Sequence, residues 1–375
     1  MIDFSVMVSA VKPKERNDQY LVLAALFVLG AYDRTVSAKE VSNLLKLHLR
    51  AKAPANVSDC LRKYMAYVSL KGQGPPLQWS LNEKGVEHLR LVTGLSLSTV
   101  SDIDSFKSDV GIVCALQYPE LEAVIKASGG HESWSVVGDA RLTHVYRETK
   151  VATVEKKPLR IVATTSTSMG LTAAAIATTQ LVYQFRPRLV AMIGIAAGTH
   201  SANKQFGDVL VADPSVDYNS GKVITQGGIR EFQPDPYPIG LNPRLRSILQ
   251  KYRGQHHPLF DEIRNRWNGS TPSAPNSLHV GPVGAADQVI DDASRIIEIQ
   301  KNWRKLIGVE METYGVYRAV LESPEPKPRS VSFKAVCDFA AEKSDSWQEY
   351  AAFMAAEFAI EFIKREWGAL WPATQ

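Results

Sequence analysis

Apolar residues recur along this chain in two rhythms, and the rhythm changes near residue 95. Before that point the spacing is helical. Tyr20 to Leu29 reads as an apolar helix, and the longer apolar run to Tyr32, interrupted by Gly30 and flanked by charge, is a buried helix and not a membrane span. Ser37 and Glu40 form a capping-box pair that opens a helix through Leu47. A second short helix follows, capped by Asn56 or Ser58, with Leu61, Tyr64 and Met65 at helical spacing. Val68 to Leu81 reads as two strands joined at Gly72-Gln73-Gly74-Pro75-Pro76, and Asn82 to Leu91 returns to helix. Three helices, a hairpin and another helix predict a small winged helix-turn-helix domain over residues 1–95.

Residues 96–108 are rich in Ser and Asp with few large apolar side chains, which predicts a linker. From Asp109 onward, short apolar strands alternate with helices. Val110 to Ala115, Leu159 to Thr165, Leu189 to Ile195, Val209 to Ala212, Leu306 to Val309 and Val331 to Val336 are strand-like. Gly170 to Tyr183, Met311 to Leu321 and Trp347 to Arg365 are helical. The alternation predicts a three-layer α/β/α domain with a central mixed sheet over residues 109–375. Asp213 to Ser277 breaks the rhythm and is expected to form loops and one or two helices around the mouth of a site.

A chain of 375 residues suits two such domains, and 45% hydrophobic with 22% charged residues is a globular balance. Met1 to Ser9 carries Asp3 and lacks the basic start and long apolar core of a signal peptide, so a cytoplasmic protein without a membrane partner is expected. Cys60, Cys114 and Cys337 lie too far apart for a zinc or disulfide framework, and no His and carboxylate cluster has ligand spacing; neither metal nor cofactor is expected. The net charge of +4 is too small to specify a partner. Lys46, Arg50, Lys52, Arg62 and Lys63, opposed by Asp59, surround the expected recognition helix, a surface suited to DNA phosphates or to a protein partner.

Five segments carry chemistry. They are Gly111-Ile112-Val113-Cys114-Ala115-Leu116 followed by Glu120; Ser168-Met169-Gly170 before an alanine-rich helix; Gly194-Ile195-Ala196-Ala197-Gly198 with Gly207-Asp208-Val209; Val309-Glu310-Met311-Glu312; and Cys337-Asp338-Phe339-Ala340. In this order they resemble methylthioadenosine/S-adenosylhomocysteine nucleosidases and their relatives in the nucleoside phosphorylase and nucleosidase superfamily. The resemblance covers nearly all of residues 109–367.

The resemblance implies cleavage of the bond between a purine and its ribose, with three carboxylates in named roles. Asp338 is the implied general acid at the purine imidazole nitrogen, and Glu120 the implied base for the attacking water. Glu122 is the fallback for the second role, because three residues separate Leu116 from Glu120 where the family commonly has two. Glu312 is the implied acceptor for both ribose hydroxyls. Glu310 either assists the sugar or structures the turn, and Met311 resembles the packing residue beneath the ribose. Cys337 stands beside the acid where relatives carry Ser. Ala196, Ala197 and Gly198 form a small-residue turn that lets backbone approach a ligand, and Val289 and Ile290 correspond to walls of the purine pocket.

Phosphorylases of the superfamily hold phosphate with arginines in the first loop and with an Arg and a Ser flanking the later glycine. Here the first loop offers Gln117, Tyr118, Pro119 and Glu120, and the later positions are Met192 and Ile195, which predicts water as the nucleophile, with phosphorolysis, or a winged-helix DNA-binding regulator that senses a nucleoside, as the alternatives. The segment Trp347 to Ala352, with Lys343 and Asp345, resembles nucleosidase domains of defence and signalling proteins, some of which act on adenosine nucleotides. Lys222, Arg230, Arg244 and Arg246 are candidate phosphate contacts for such a substrate. The resemblance also implies a homo-oligomer, dimer or hexamer.

Overall fold

The Ser37 and Glu40 pair forms the reciprocal cap that its spacing predicts: Ser37 Oγ accepts the Glu40 amide, and the Glu40 carboxylate accepts the Ser37 amide. The computed structural model describes residues 3–12, 16–32, 34–71, 76–95, 105–138, 142–199, 204–254, 257–290, 292–339 and 345–372. Gly72 to Pro75 of the expected turn, residues 96–104 of the expected linker, Ala340 and Lys343 lie outside them. The chain divides into two compact units, Met1–Ser105 and Phe106–Gln375.

The first unit contains α1 (Phe4–Ser9), α2 (Asp18–Val28), β1 (Val36–Ser37), α3 (Ala38–Leu49), α4 (Val57–Lys63), β2 (Val68–Lys71), β3 (Gln78–Leu81) and α5 (Glu83–Thr93). The strands form an antiparallel sheet in the order β1-β3-β2. Helix α2 is apolar on every side and lies at the centre of a core with Val41, Leu45, Leu61, Trp79 and Leu89. Asn56 caps α4 by accepting the Asp59 amide. That helix stops at Lys63, so Tyr64 and Met65 lie beyond it, and Met65 is exposed.

The second unit is built on a nine-stranded mixed sheet. Its strands are β4 (Ser108–Cys114), β5 (Ser135–Val137), β6 (Tyr146–Ala152), β7 (Pro158–Thr165), β8 (Pro187–Gly198), β9 (Val209–Asp217), β12 (Leu278–Ala285), β13 (Gly308–Glu310) and β14 (Arg329–Asp338). They lie in the order β13-β12-β9-β14-β8-β4-β7-β6-β5, and the end of β8 also pairs with β13. Strands β8, β14, β9, β12 and β13 thereby close into a ring at one end of the sheet.

Helices cover both faces, giving the expected α/β/α layers. On one face lie α7 (Leu171–Phe185) and α11 (Thr313–Leu321). A side chain at Gly315 would meet the Leu171 carbonyl oxygen at 2.1 Å, so that glycine permits their close approach. On the other face lie α6 (Glu122–Ala127), α8 (Pro243–Leu249), α9 (Pro258–Arg264) and α12 (Gln348–Leu370), with Phe358 and Phe362 of α12 packed on Phe333 of β14. Truncating one such buried ring to Ala typically costs about 3–5 kcal/mol.

Two expectations need correction. Asp213 to Ser277 holds α8 and α9 but also the end of β9 and an antiparallel hairpin, β10 (Gly221–Gln226) with β11 (Ile229–Pro234). Ala196, Ala197 and Gly198 belong to the last turnless residues of β8, because pairing with β14 and β13 extends that strand past Ile195. Strand β12 and helix α10 (Ala293–Asn302) are further elements the apolar pattern did not show.

Candidate active site

The site forms where β4, β8, β13 and β14 end. Strand β4 runs into a wide turn at Gln117–Leu121, closed by the Leu121 amide on the Leu116 carbonyl. This five-residue closure turns the Glu120 carboxylate back toward the strand ends. Glu120 Oε2 accepts the amides of Ala115 (2.7 Å) and Leu116 (2.9 Å), and Oε1 accepts that of Ile195 (2.9 Å). Gly194 provides the space: a Cβ there would lie 2.0 Å from Glu120 Oε1.

Strand β13 delivers the second group. Glu310 accepts the amides of Glu312 (2.9 Å) and Thr313, so its carboxylate seats the first turn of α11. Of the two roles open to it, the structuring one is visible in these bonds. Glu312, at the N-cap of α11, accepts the Gly170 amide (3.2 Å) through Oε1.

Lys334, which the sequence reading missed, joins the three glutamates. It pairs with Gly194 across β14 and β8, so its side chain lies beside the space that Gly194 leaves open. Its Nζ is 3.0 Å from Glu312, 3.5 Å from Glu310 and 3.9 Å from Glu120, and the lysine is 2% exposed. Burial opposes the Lys334 charge, but Glu312, Glu120 and Glu310 outweigh it and hold the ammonium above the ordinary lysine range. One ammonium cannot balance three carboxylates. Burial therefore raises Glu120 and Glu310 above the ordinary range, although Lys334 pulls each down.

Asp338 comes from the end of β14. The register shifts between Val336 and Asp338, a bulge that leaves Cys337 as the extra residue and brings Asp338 opposite Ala197. The Cys337 thiol lies 3.4 Å from Asp338 Oδ2 and 3.5 Å from the Ala196 carbonyl oxygen, and burial pushes its pKa up.

These groups surround a cavity of about 280 Å³ whose lining includes Glu120, Glu310, Met311, Glu312, Cys337 and Asp338. Ala196, Ala197, Val289 and Ile290 form its apolar walls, with Leu116, Met169, Ile195 and Val309. Gln288 and Gln348 add neutral polar groups that the sequence reading did not assign. Gly198 stands outside the lining, where a Cβ would press on Val336 and Phe339. Glu122 is engaged elsewhere, with His131 (3.0 Å) and Lys126 (3.6 Å).

Among the described residues of the lining there is no Lys or Arg. Arg244 donates to the Ala369 carbonyl and Arg246 is paired with Asp213; neither they nor Lys222 and Arg230 reach the cavity wall. Among the described residues, no group of three or more His, Cys, Asp or Glu could hold a metal, and no helix is long and apolar enough to cross a membrane.

The chain is 28% identical over 258 residues to the protein y4jS of Sinorhizobium fredii, a match covering 68% of this chain and 61% of that protein. It is 25% identical over 219 residues to the ATP nucleosidase Cap17 of Escherichia coli, covering 55% of this chain and 42% of the relative. The matches thus span less than two thirds of either relative. The 5'-methylthioadenosine/S-adenosylhomocysteine nucleosidase of Bacillus subtilis is 25% identical over 210 residues, 52% of this chain and 78% of that enzyme. Among solved structures, the Helicobacter pylori enzyme of the same name shares the fold with a TM-score of 0.53 at 17% identity, covering 69% of this chain and 99% of that one. The futalosine hydrolase of the same organism does so at 0.51 and 16% identity, covering 68% and 97%. The family description "phosphorylase superfamily" matches residues 109–357, and the chain belongs to that superfamily.

Proposed function

We propose that this chain hydrolyses the N-glycosidic bond of an adenine nucleoside or nucleotide. The observation that supports this most directly is the convergence of Glu120, Glu312 and Asp338 on one cavity whose described lining has no cationic side chain. In this reading Asp338 gives its proton to the imidazole nitrogen of the departing base, and the C1′–N bond breaks. Glu120 takes a proton from water as the water oxygen bonds to C1′, leaving free base and free sugar. Glu312 accepts the ribose hydroxyls, and the buried carboxylates stabilise positive charge developing on the sugar. Lys334 keeps the carboxylates in place and limits their mutual repulsion.

Similarity to an ATP nucleosidase supports a nucleotide substrate, and similarity to methylthioadenosine enzymes supports a nucleoside one. A role as a defence or signalling effector in the cytoplasm, suggested by the segment Trp347 to Ala352, is part of the same proposal. Self-association as a dimer or hexamer belongs to the same proposal. The amino-terminal unit serves in it as a winged-helix module for DNA or a protein partner. Residues 1–95 carry 13 Lys and Arg against 8 Asp and Glu, which favours DNA phosphates.

The test is chromatography of ATP, AMP, adenosine, methylthioadenosine and S-adenosylhomocysteine after incubation with purified protein, with and without inorganic phosphate. Free adenine without added phosphate is expected, and Asp338→Asn should lower the rate about 10²- to 10⁴-fold. Release that requires phosphate, or an unimpaired Asp338→Asn enzyme, would overturn the reading.

A further inference from the structure

We propose that Asp287 is a positioning residue for the cleavage reaction, fastening the loop that walls the base to the helix end that holds the sugar-side carboxylate. The inference rests on the nucleosidase reading and extends it to a residue that touches no reacting atom.

Helix α7 begins with an unusual deficit. Its N-cap is Gly170, which has no side chain to accept a backbone amide, and its first turn holds no acidic residue. The free amides of a helix start need acceptors, and its positive end favours anions. Two carboxylates from distant parts of the chain supply them. Glu312 accepts the Gly170 amide at 3.2 Å, and Asp287 Oδ1 accepts the Leu171 amide at 2.6 Å. The approach is close enough to dictate the sequence: Gly170 has φ +115°, and a Cβ there would stand 2.5 Å from Asp287 Oδ1.

The neighbours of these groups give the contact its meaning. Gln288, Val289 and Ile290, directly after Asp287, line the cavity, as does Met169, directly before Gly170. Ile290 is buried in an apolar cluster with Ala286 and Val309, but Asp287, Gln288 and Val289 are exposed, so packing holds the far end of this loop and not the stretch beside Asp287. The amide of Leu171 gives the loop a fixed point. That point is one residue from the amide held by Glu312, so the base wall and the ribose acceptor share one rigid helix end. Geometry between base and sugar is then set before substrate enters.

The experiment uses the full chain and compares wild type, Asp287→Ala, Asp287→Asn and Gly170→Ala. Steady-state kinetics on the nucleoside or nucleotide that wild type cleaves are paired with calorimetric titration of free adenine. Asp287→Ala should raise KM and weaken adenine binding about 10-fold, as expected for loss of a hydrogen bond to a charged group, with kcat changed less than about threefold. Asp287→Asn keeps an oxygen acceptor for the Leu171 amide and should recover most of the loss. Gly170→Ala, which displaces Asp287 from the other side, should reproduce it and serves in place of Asp287→Ala should that variant not fold. KM and adenine affinity within twofold of wild type would overturn the proposal, as would a fall in kcat with adenine affinity intact. Wild-type protein that cleaves no purine nucleoside would defeat the nucleosidase reading instead, whatever Asp287→Ala does to adenine binding.

Discussion

At one end of the cavity, Glu120, Glu310 and Glu312 are 1%, 7% and 3% exposed and every one accepts backbone amides. At the other end, Val289 is 59% exposed, and Asp287 and Gln288 face solvent. The first end is a buried electrostatic device whose parts cannot move independently, because each carboxylate also seats a strand or helix terminus. The second is a wall whose exposed stretch, Asp287 to Val289, lies between buried Ala286 and buried Ile290 and is fastened by the Asp287 bond to the Leu171 amide. In the proposed reaction this division would put the rigid end at the sugar, where charge develops, and the open end at the flat base.

The contrast breaks most completely at Lys334. Replacing it with Met leaves three buried carboxylates without a counter-charge, and removing one partner of a buried ion pair costs about 3–5 kcal/mol. Lys334→Met should therefore lose much of its denaturant midpoint, while Lys334→Arg, which keeps the charge, should stay nearer wild type. A Met variant as stable as wild type would mean that the glutamates are not held as an ionic cluster.

Acidification probes the same end with a smaller effect. Glu120 has a raised pKa because burial outweighs Lys334, so its ionised fraction falls at a pH above the ordinary glutamate value of about 4.3. Activity should fall there if Glu120 is the base. Stability should move the other way. A carboxylate raised in the folded state contributes stability that is fully present below its unfolded pKa and is lost as pH rises through the folded one. As pH falls from neutrality toward the ordinary glutamate value of about 4.3, the raised pKa of Glu120 and of Glu310 should make melting temperature rise as turnover falls. Turnover that stays flat across that range would remove Glu120 from the role of base.

The two ends were also unequally legible in the sequence. Glu120, Glu312 and Asp338 follow apolar strands, and a carboxylate at a strand end is a readable signal. Lys334 gave none, since a lysine inside an apolar run reads as an edge or surface position; its burial makes sense only beside the gap at Gly194. Strand β12 hid for a related reason. Its Gly281 and Pro282 argue against a strand, yet they fall where the register with β9 shifts between Gly281 and Val283, a place where such residues are tolerated. Strand β6, with Arg147, Glu148 and Lys150 among seven residues, lacks the apolar run of its neighbours because it lies toward the sheet edge. Asp287 needed the tertiary fold outright, since its partner amide lies 116 residues away.

The smallest expected effect lies at the rim. Tyr118, 60% exposed in the turn before Glu120, donates its hydroxyl to Glu349 in the first turn of α12, adjacent to the cavity-lining Gln348. The bond links two segments that frame the mouth, yet both partners face water, and a solvent-exposed polar contact contributes about 0–1 kcal/mol. Glu120 itself is held by three backbone amides that do not involve this hydroxyl. Tyr118→Phe should therefore leave kcat and KM within about threefold of wild type, because the ring stays and only the exposed bond goes. A loss of 100-fold would show that the mouth, and not only the buried carboxylate cluster, sets the position of Glu120.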